Sequence, residues 1–219
     1  MGTMTAMVAH EFNNILTPII NYAQLARKNP GLVAKAIERA ADGGQRAVHI
    51  CNALLGITGQ PTGEPAEQDL AELVGETLQA MARPLGKDGI ELDLAIPAGL
   101  KVKARRVELQ QVLLNLLINA RTAVLAKERS GARSIRIDAE RDDQWLRIRV
   151  TDTGVGVSAE NFARLFEPFF TTRPDDEAGT PGHGLGLAIC REIMTAMGGD
   201  ITARSVPNEG TTFTIRLPR

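Results

Sequence analysis

The sequence is short of the features that mark a disulfide-stapled, membrane-spanning or nucleic-acid-binding chain. Its two cysteines, Cys51 and Cys190, stand alone, with no Cys-x-x-Cys and no Cys/His cluster. Neither a disulfide framework nor a zinc site is supported, and both are expected to be buried thiols. Excess charge is absent as well. The 25 basic and 26 acidic side chains nearly cancel, leaving no general field to draw nucleic acid or an anionic membrane, so any anion binding has to be local. No apolar run approaches the roughly 18 residues of a transmembrane span, and the N-terminus lacks the basic-then-apolar order of a signal peptide. The expectation is a cytoplasmic segment with no nucleic-acid partner and no membrane contact. Internal repeats and low-complexity tracts are also missing, so the 219 residues make one or two ordinary domains.

What is present starts with a helical hairpin over residues 1–57. Val8, Phe12, Ile15, Ile19, Tyr22 and Ala26 recur every three or four residues, the stripe of a helix that packs on other helices. Asn29-Pro30-Gly31 breaks it, and a second stripe of Val33, Ile37, Ala40, Gly44, Val48, Cys51 and Leu55 follows. Two such helices cannot cover their own core, so a homodimer forming a four-helix bundle is predicted. His10 lies about 200° around the helix from Val8, outside the seam, with Asn14 one turn on. A lone helical histidine is ordinarily just a solvated side chain.

Residues 58–68, with two prolines and two glycines, read as a linker, and residues 69–219 as a second domain. Helix is expected from Asp69 to about Arg83, Val107 to Lys127 and Leu185 to Met197. Strands are expected over 90–96, 101–104, 134–139, 145–151, 200–205 and 211–217. The mixture of helices with a largely antiparallel sheet predicts an α+β sandwich.

Three segments of this domain combine unusual residues. Asn115 and Asn119 share one face of an otherwise apolar helix, either as structural hydrogen-bonders or as oxygen donors to a hard cation such as Mg²⁺. Asp152-Thr153-Gly154-Val155-Gly156 ends a strand. It fits a glycine turn with a local cap, or a carboxylate that accepts from an exocyclic amine while the glycines let a ligand approach. An aspartic protease would need a second such carboxylate and is set aside. Gly182-His183-Gly184-Leu185-Gly186-Leu187 opens a helix, where free N–H groups favour an anion. It is neither a Walker A loop nor a Rossmann fingerprint. The dozen or so polar residues between Phe170 and Gly182 suggest a lid.

The order of these segments, together with Phe166-Glu167-Pro168-Phe169-Phe170-Thr171-Thr172 and the final Gly210-Thr211-Thr212-Phe213, resembles the catalytic core of sensor histidine kinases of two-component systems. The resemblance implies a dimerisation and phosphotransfer hairpin joined to an ATP-binding sandwich of the gyrase and Hsp90 type. It makes His10 the phosphoacceptor, Glu11 its proton acceptor and Asn14 the amide of a regulator phosphatase. Asn119 becomes the Mg²⁺ ligand with Asn115 near it, and Asp152 the adenine reader. Gly154, Gly156, Gly182, Gly184 and Gly186 line the nucleotide, with Leu185 and His183 between them. Thr212 supports the adenine end, and Phe166, Phe169 and Phe170 root the lid. Arg173 and Arg191 are candidate phosphate contacts. ATP and Mg²⁺ are the implied cofactors, and a response regulator receiver domain and an upstream sensory domain or chain the implied partners.

Elementary chemistry agrees with these roles. An imidazole with a pKa of about 6.5 has a free lone pair near neutral pH, so His10 needs little help to attack. Phosphoryl transfer chiefly asks for positioning and charge neutralisation. An amide at Asn115 cannot activate water, which favours transfer over hydrolysis. Arg105, Thr122 and His183 depart from frequent family choices. The rivals are a degenerate ATP-holding module that docks a regulator, and a serine kinase or ATPase of the same nucleotide fold.

Overall fold

A computed structural model of the chain describes residues 2–41, 43–44, 47, 64–81, 83–127, 131–171 and 184–219, with side-chain surroundings from residue 12 onward. Two compact units, Met1–Thr58 and Gly59–Arg219, divide it.

In the first unit, helix α1 spans Gly2–Lys28 and ends on Arg27 and Lys28, cations that suit a helix C-terminus. Pro18 lies inside it, where it removes the N–H that would bond the Asn14 carbonyl. At Asn29 the backbone turns extended, and the side chain accepts from the Gly31 N–H at the head of a 3-10 turn, Pro30–Leu32. A second helix, α2, covers 33–41 and continues through 43, 44 and 47. The expected seam on α1 is present: Ile15 is buried and Phe12, Ile19, Tyr22 and Ala26 are half-buried.

On α2 the packed face is one residue out of phase with the expected stripe. Ala36, Arg39, Gly43 and Ala47 turn inward, in line with Leu32 of the preceding turn, whereas Val33, Ile37, Ala40 and Gly44 are exposed, Ile37 by 65%. The cause is local packing. A Cβ on Gly43 would stand 2.4 Å from Ile19 Cδ1, so the bare backbone is what fits against α1. Lys35 Nζ and Arg39 Cζ lie 5.7 and 5.8 Å from the Tyr22 ring centroid, where cations are attracted to the ring face. The rest of the second stripe, Val48, Cys51 and Leu55, falls outside the described residues.

The second unit is an α/β sandwich. Strand β1, Ala66–Asp69, pairs antiparallel with β3, Lys101–Ala104, so the last residues of the expected linker already belong to this unit. Helix α3, Leu70–Gln79, is capped by the Asp69 carboxylate, which accepts from the Ala71 and Glu72 amides at 2.9 and 3.1 Å. It stops short of Arg83. Then come β2 (Glu91–Ala95), α4 (Arg106–Ala126), β4 (Ser134–Arg141), β5 (Trp145–Asp152), α5 (Ala159–Phe162), α6 (Gly186–Ala196), β6 (Asp200–Val206) and β7 (Gly210–Pro218). The five-stranded sheet has the order β2-β4-β5-β7-β6, with β2 and β4 parallel and the rest antiparallel.

Alternation along β4, β5 and β7 sends Ile135, Ile137, Leu146, Ile148, Val150, Phe213, Ile215 and Leu217 into the core. There they meet the helical layer, with Leu109, Val112, Leu113, Leu116, Leu117, Ala120 and Val124 of α4 buried. By length and composition α4 could cross a membrane, yet it is the central helix of this core. The outer face of the sheet is polar and paired: Arg149 with Asp138 and Glu140, Arg147 with Asp142, and Arg216 with Asp200.

The hairpin gives a paired prediction. Gly43→Leu forces α1 and α2 apart and lowers stability by about 1–3 kcal/mol. Gly44 has nothing within 4 Å of its Cβ position, so Gly44→Ala gains up to about 1 kcal/mol in helix propensity. Thermal unfolding of the two variants checks the contrast, and equal shifts would contradict the packing described.

Candidate active site

The site in the second unit is built around the end of β5. Strand alternation places Asp152 on the same inward face as Leu146, Ile148 and Val150, so a carboxylate closes an otherwise apolar row and is 3% exposed. Its Oδ1 accepts from the Gly154 N–H at 2.8 Å, and the Thr211 amide donates to the carboxylate as well. Burial outweighs these bonds and the nearby Lys127 charge, pushing the carboxyl up to about 6.

The following loop is pressed against the protein on two sides. A Cβ on Gly154 would lie 2.5 Å from the Ala123 carbonyl carbon of α4. At Gly156, φ is +67°, and a Cβ there would lie 2.2 Å from the Val206 oxygen. The Val155 N–H donates to Ala123 O at 3.2 Å, and the Asn208 N–H to Val155 O at 2.7 Å. At both glycines protein backbone approaches where a side chain would otherwise stand.

Thr212 requires a correction. Alternation on β7 puts Thr212 on the outer face, where its hydroxyl lies 3.0 Å from that of Thr151. The threonine beside Asp152 is Thr211, its register partner, 5% exposed and 2.8 Å from the Ser205 hydroxyl. Ser205 in turn accepts from the Val157 N–H at 2.8 Å. The signal was available, because Thr211 is two residues before the apolar Phe213 and shares its face.

On α4, Asn115 and Asn119 are both half-buried. The Asn115 amide donates to Gly186 O at 3.4 Å and contacts Cys190 Sγ at 3.8 Å, joining α4 to the first turns of α6. The Asn115 amide nitrogen thus makes a structural contact between the two helices. Cys190 is a buried thiol, pushed up to about 12 by burial; Cys51 falls outside the described residues. The Thr122 hydroxyl donates to Ile118 O within the helix at 2.8 Å.

Helix α6 begins without a side-chain cap at the buried Leu185, leaving its first N–H groups without such a partner. Before it, the Phe169 N–H donates to Gly184 O at 2.9 Å, so the residues flanking 172–183 meet. Gly184 has φ +62°, and a Cβ would fall 2.4 Å from the Phe169 carbonyl carbon. Phe166 lies edge-on to Phe213 with centroids 6.5 Å apart, under the Arg191 guanidinium at 4.2 Å. Phe170 is covered by Arg164 at 4.5 Å. Arg173, Gly182, His183 and the expected lid lie outside the described residues. In the first unit, His10, Glu11 and Asn14 share α1, with Asn14 exposed; the surroundings of the His10 and Glu11 side chains fall outside the described set.

Residues 104–219, more than half of the chain, match the histidine kinase-, DNA gyrase B- and HSP90-like ATPase family, and residues 1–58 match the His Kinase A (phospho-acceptor) domain. The chain belongs to the sensor histidine kinases. This kinase core is 31% identical over 227 residues to the sensor protein FixL of Bradyrhizobium diazoefficiens, covering 100% of the chain and 43% of FixL. It is 33% identical over 225 residues to the sensor histidine kinase ZraS of Klebsiella oxytoca, covering 100% of the chain and 46% of ZraS. The chain thus spans less than half the length of these relatives. Among solved structures, the histidine kinase ThkA in complex with the response regulator protein TrrA aligns with TM-score 0.73 and 28% identity, covering 99% of this chain and 61% of that one.

Sequence reasoning about the kinase core missed Thr211, Ser205 and Lys127. Ser205 and Lys127 carry no motif, and only the register of β6 on β7 and the end of α4 bring them to the site. The state of Asp152 gives a prediction with a definite sign. Its carboxyl titrates at about 6 when folded against an ordinary 3.8, so the folded state bears a penalty that is absent below 3.8 and complete above 6. Asp152→Asn removes it, and urea unfolding at about pH 8 should show a gain of roughly 2–3 kcal/mol that disappears by about pH 4. An unchanged urea midpoint at the higher pH would contradict the penalty.

Proposed function

We propose that this chain binds ATP in its second unit, transfers the γ-phosphoryl group to His10 and passes it to an aspartate of a response regulator. The observation that carries the reading is the buried Asp152 carboxylate, set beside Thr211 and held by backbone amides, on a chain whose first helix bears His10-Glu11-x-x-Asn14. Asp152 accepts from the exocyclic amine of adenine, and Thr211, in place of Thr212, supports that end. The entry to α6, from Gly184 through Leu185 to the first helical residue Gly186, faces the phosphates, and the helix opens without a side-chain cap.

Among the described residues no group of three or more His, Cys, Asp and Glu side chains forms a metal site. Mg²⁺ still fits, because it takes few protein ligands when phosphate and water complete its octahedron, and the Asn119 amide oxygen is a suitable donor. Bound there, Mg²⁺ would supply neutralisation of phosphate charge. A ring nitrogen of His10 attacks the γ-phosphorus as the bond to the ADP oxygen breaks, and Glu11 takes the imidazole proton. Asn115, engaged with Gly186 and Cys190, provides no base for water.

The exposed Leu16, Ile20, Val33 and Ile37 support pairing with a second copy into a four-helix bundle. The near balance of charge supports a segment that contacts neither nucleic acid nor membrane, and we read it as cytoplasmic. The response regulator bound to ThkA supports the same class of partner here, with an upstream sensory region controlling the reaction.

Incubation with Mg²⁺ and ATP labelled on the γ-phosphate should give a protein label that is acid-labile and alkali-stable and is absent from His10→Ala. Acid-stable phosphoserine on a partner would instead identify a serine kinase of the same fold. Asn14, exposed one turn after His10, positions water against the phospho-aspartate of the regulator. Asn14→Ala should therefore slow clearance of a phosphorylated regulator at least about tenfold while leaving autophosphorylation intact. Clearance at the parent rate would rule out that role.

A further inference from the structure

Lys127 follows the last residue of α4, in extended conformation with φ −74° and ψ 133°, and its side chain is half-buried. Its ammonium donates to Thr153 O at 3.0 Å, between Asp152 and Gly154. The loop after β5 therefore has three attachments to the end of α4: this bond, the Val155 N–H on Ala123 O, and the contact of Gly154 with Ala123. A cation at this position also meets the negative end of the helix dipole, which favours its staying there.

We propose that Lys127 is a positioning residue for the nucleotide site, fastening the Asp152–Gly156 loop to α4 and keeping the Asp152 carboxylate in its charged, accepting form. The role rests on the reading of Asp152 as the adenine acceptor. Among the described residues, the other groups that act on the carboxylate are the uncharged Gly154 and Thr211 amides, and the Thr211 and Ser205 hydroxyls bond one another on the adjoining β7 and β6. Among the described residues, Lys127 is the one charged side chain that acts on Asp152. Because burial holds this carboxyl at about 6, near neutrality, loss of one nearby positive charge changes its ionised fraction at working pH. A protonated carboxyl presents an O–H donor to an amine that also donates, and the match is lost.

The test is binding of ADP with Mg²⁺ to the whole chain by calorimetry across pH for the parent, Lys127→Gln, Lys127→Arg and Asp152→Asn. The parent should lose affinity below about pH 6, and Lys127→Gln should move that fall upward by about half a unit, leaving affinity near pH 5 about threefold lower. Near pH 8.5, where the carboxylate is ionised in either chain, Lys127→Gln should return to within about twofold of the parent. Lys127→Arg should keep the parent profile. A loss of equal size at every pH, or no change at any, would overturn the proposal. Asp152→Asn tests the underlying reading separately: parent-like ADP affinity across the range would remove Asp152 as the acceptor, whatever Lys127 does.

Discussion

A carboxylate buried at the end of an apolar strand row is the constraint around which the second unit is arranged. Asp152 continues the inward series Leu146, Ile148, Val150, and its position is tolerable because two backbone amides donate to it and one ammonium, bonded to the neighbouring Thr153 carbonyl, lies near enough to favour its charge. Each of the three groups depends on a different element. The Gly154 amide requires the loop to fold back under α4, the Thr211 amide requires the β5–β7 register, and the Lys127 ammonium requires α4 to end where it does. Sheet pairing, helix length and loop conformation therefore meet at one oxygen pair. Even so, burial prevails, and the site retains a cost that a structural role alone would not justify.

Much of this was legible in the sequence because it depends on periodicity. The alternation in β4, β5 and β7, the long apolar helix α4 and the break at Asn29-Pro30 are local patterns, and they appear close to where they were expected. Strand β1 was not legible: four residues, Ala66 to Asp69, become a strand by pairing with Lys101–Ala104, more than thirty residues away. The end of α3 was also misjudged, since the apolar periodicity runs past Gln79 while the chain turns off into the Leu85–Asp88 3-10 segment. At the site, chemistry-bearing residue types were recognisable but their faces were not all assigned. Thr212 was taken for Thr211, although alternation alone separates them. The glycines around Gly154 and Gly156 signalled close approach, and only the fold shows that the approaching groups are Ala123 and Val206.

The hairpin separates two kinds of apolar contact that look alike in one dimension. Within the chain, α2 turns Ala36, Arg39 and Gly43 toward α1, small or aliphatic-stemmed groups that permit a close crossing. The branched side chains Val33 and Ile37 stand exposed on the other face of α2. A stripe of large residues therefore marked an outward face, and the glycine beside it marked the inner seam.

The paired charges on the outer face of the sheet also discriminate among strand registers. Inward alternation on β4 and β5 rules out a slip of one residue, which would expose the whole core row, but it does not oppose a slip of two. The charge order does so in one direction. Arg149 lies opposite Asp138 and Arg147 opposite Glu140, and a two-residue slip one way would bring Arg149 against Arg136. The other way would consume the turn in which Asp142 accepts from the Gln144 and Trp145 amides. Since Asp152 is carried on the same strand, the solvent-facing ion pairs hold the address of a residue on the opposite face of the sheet.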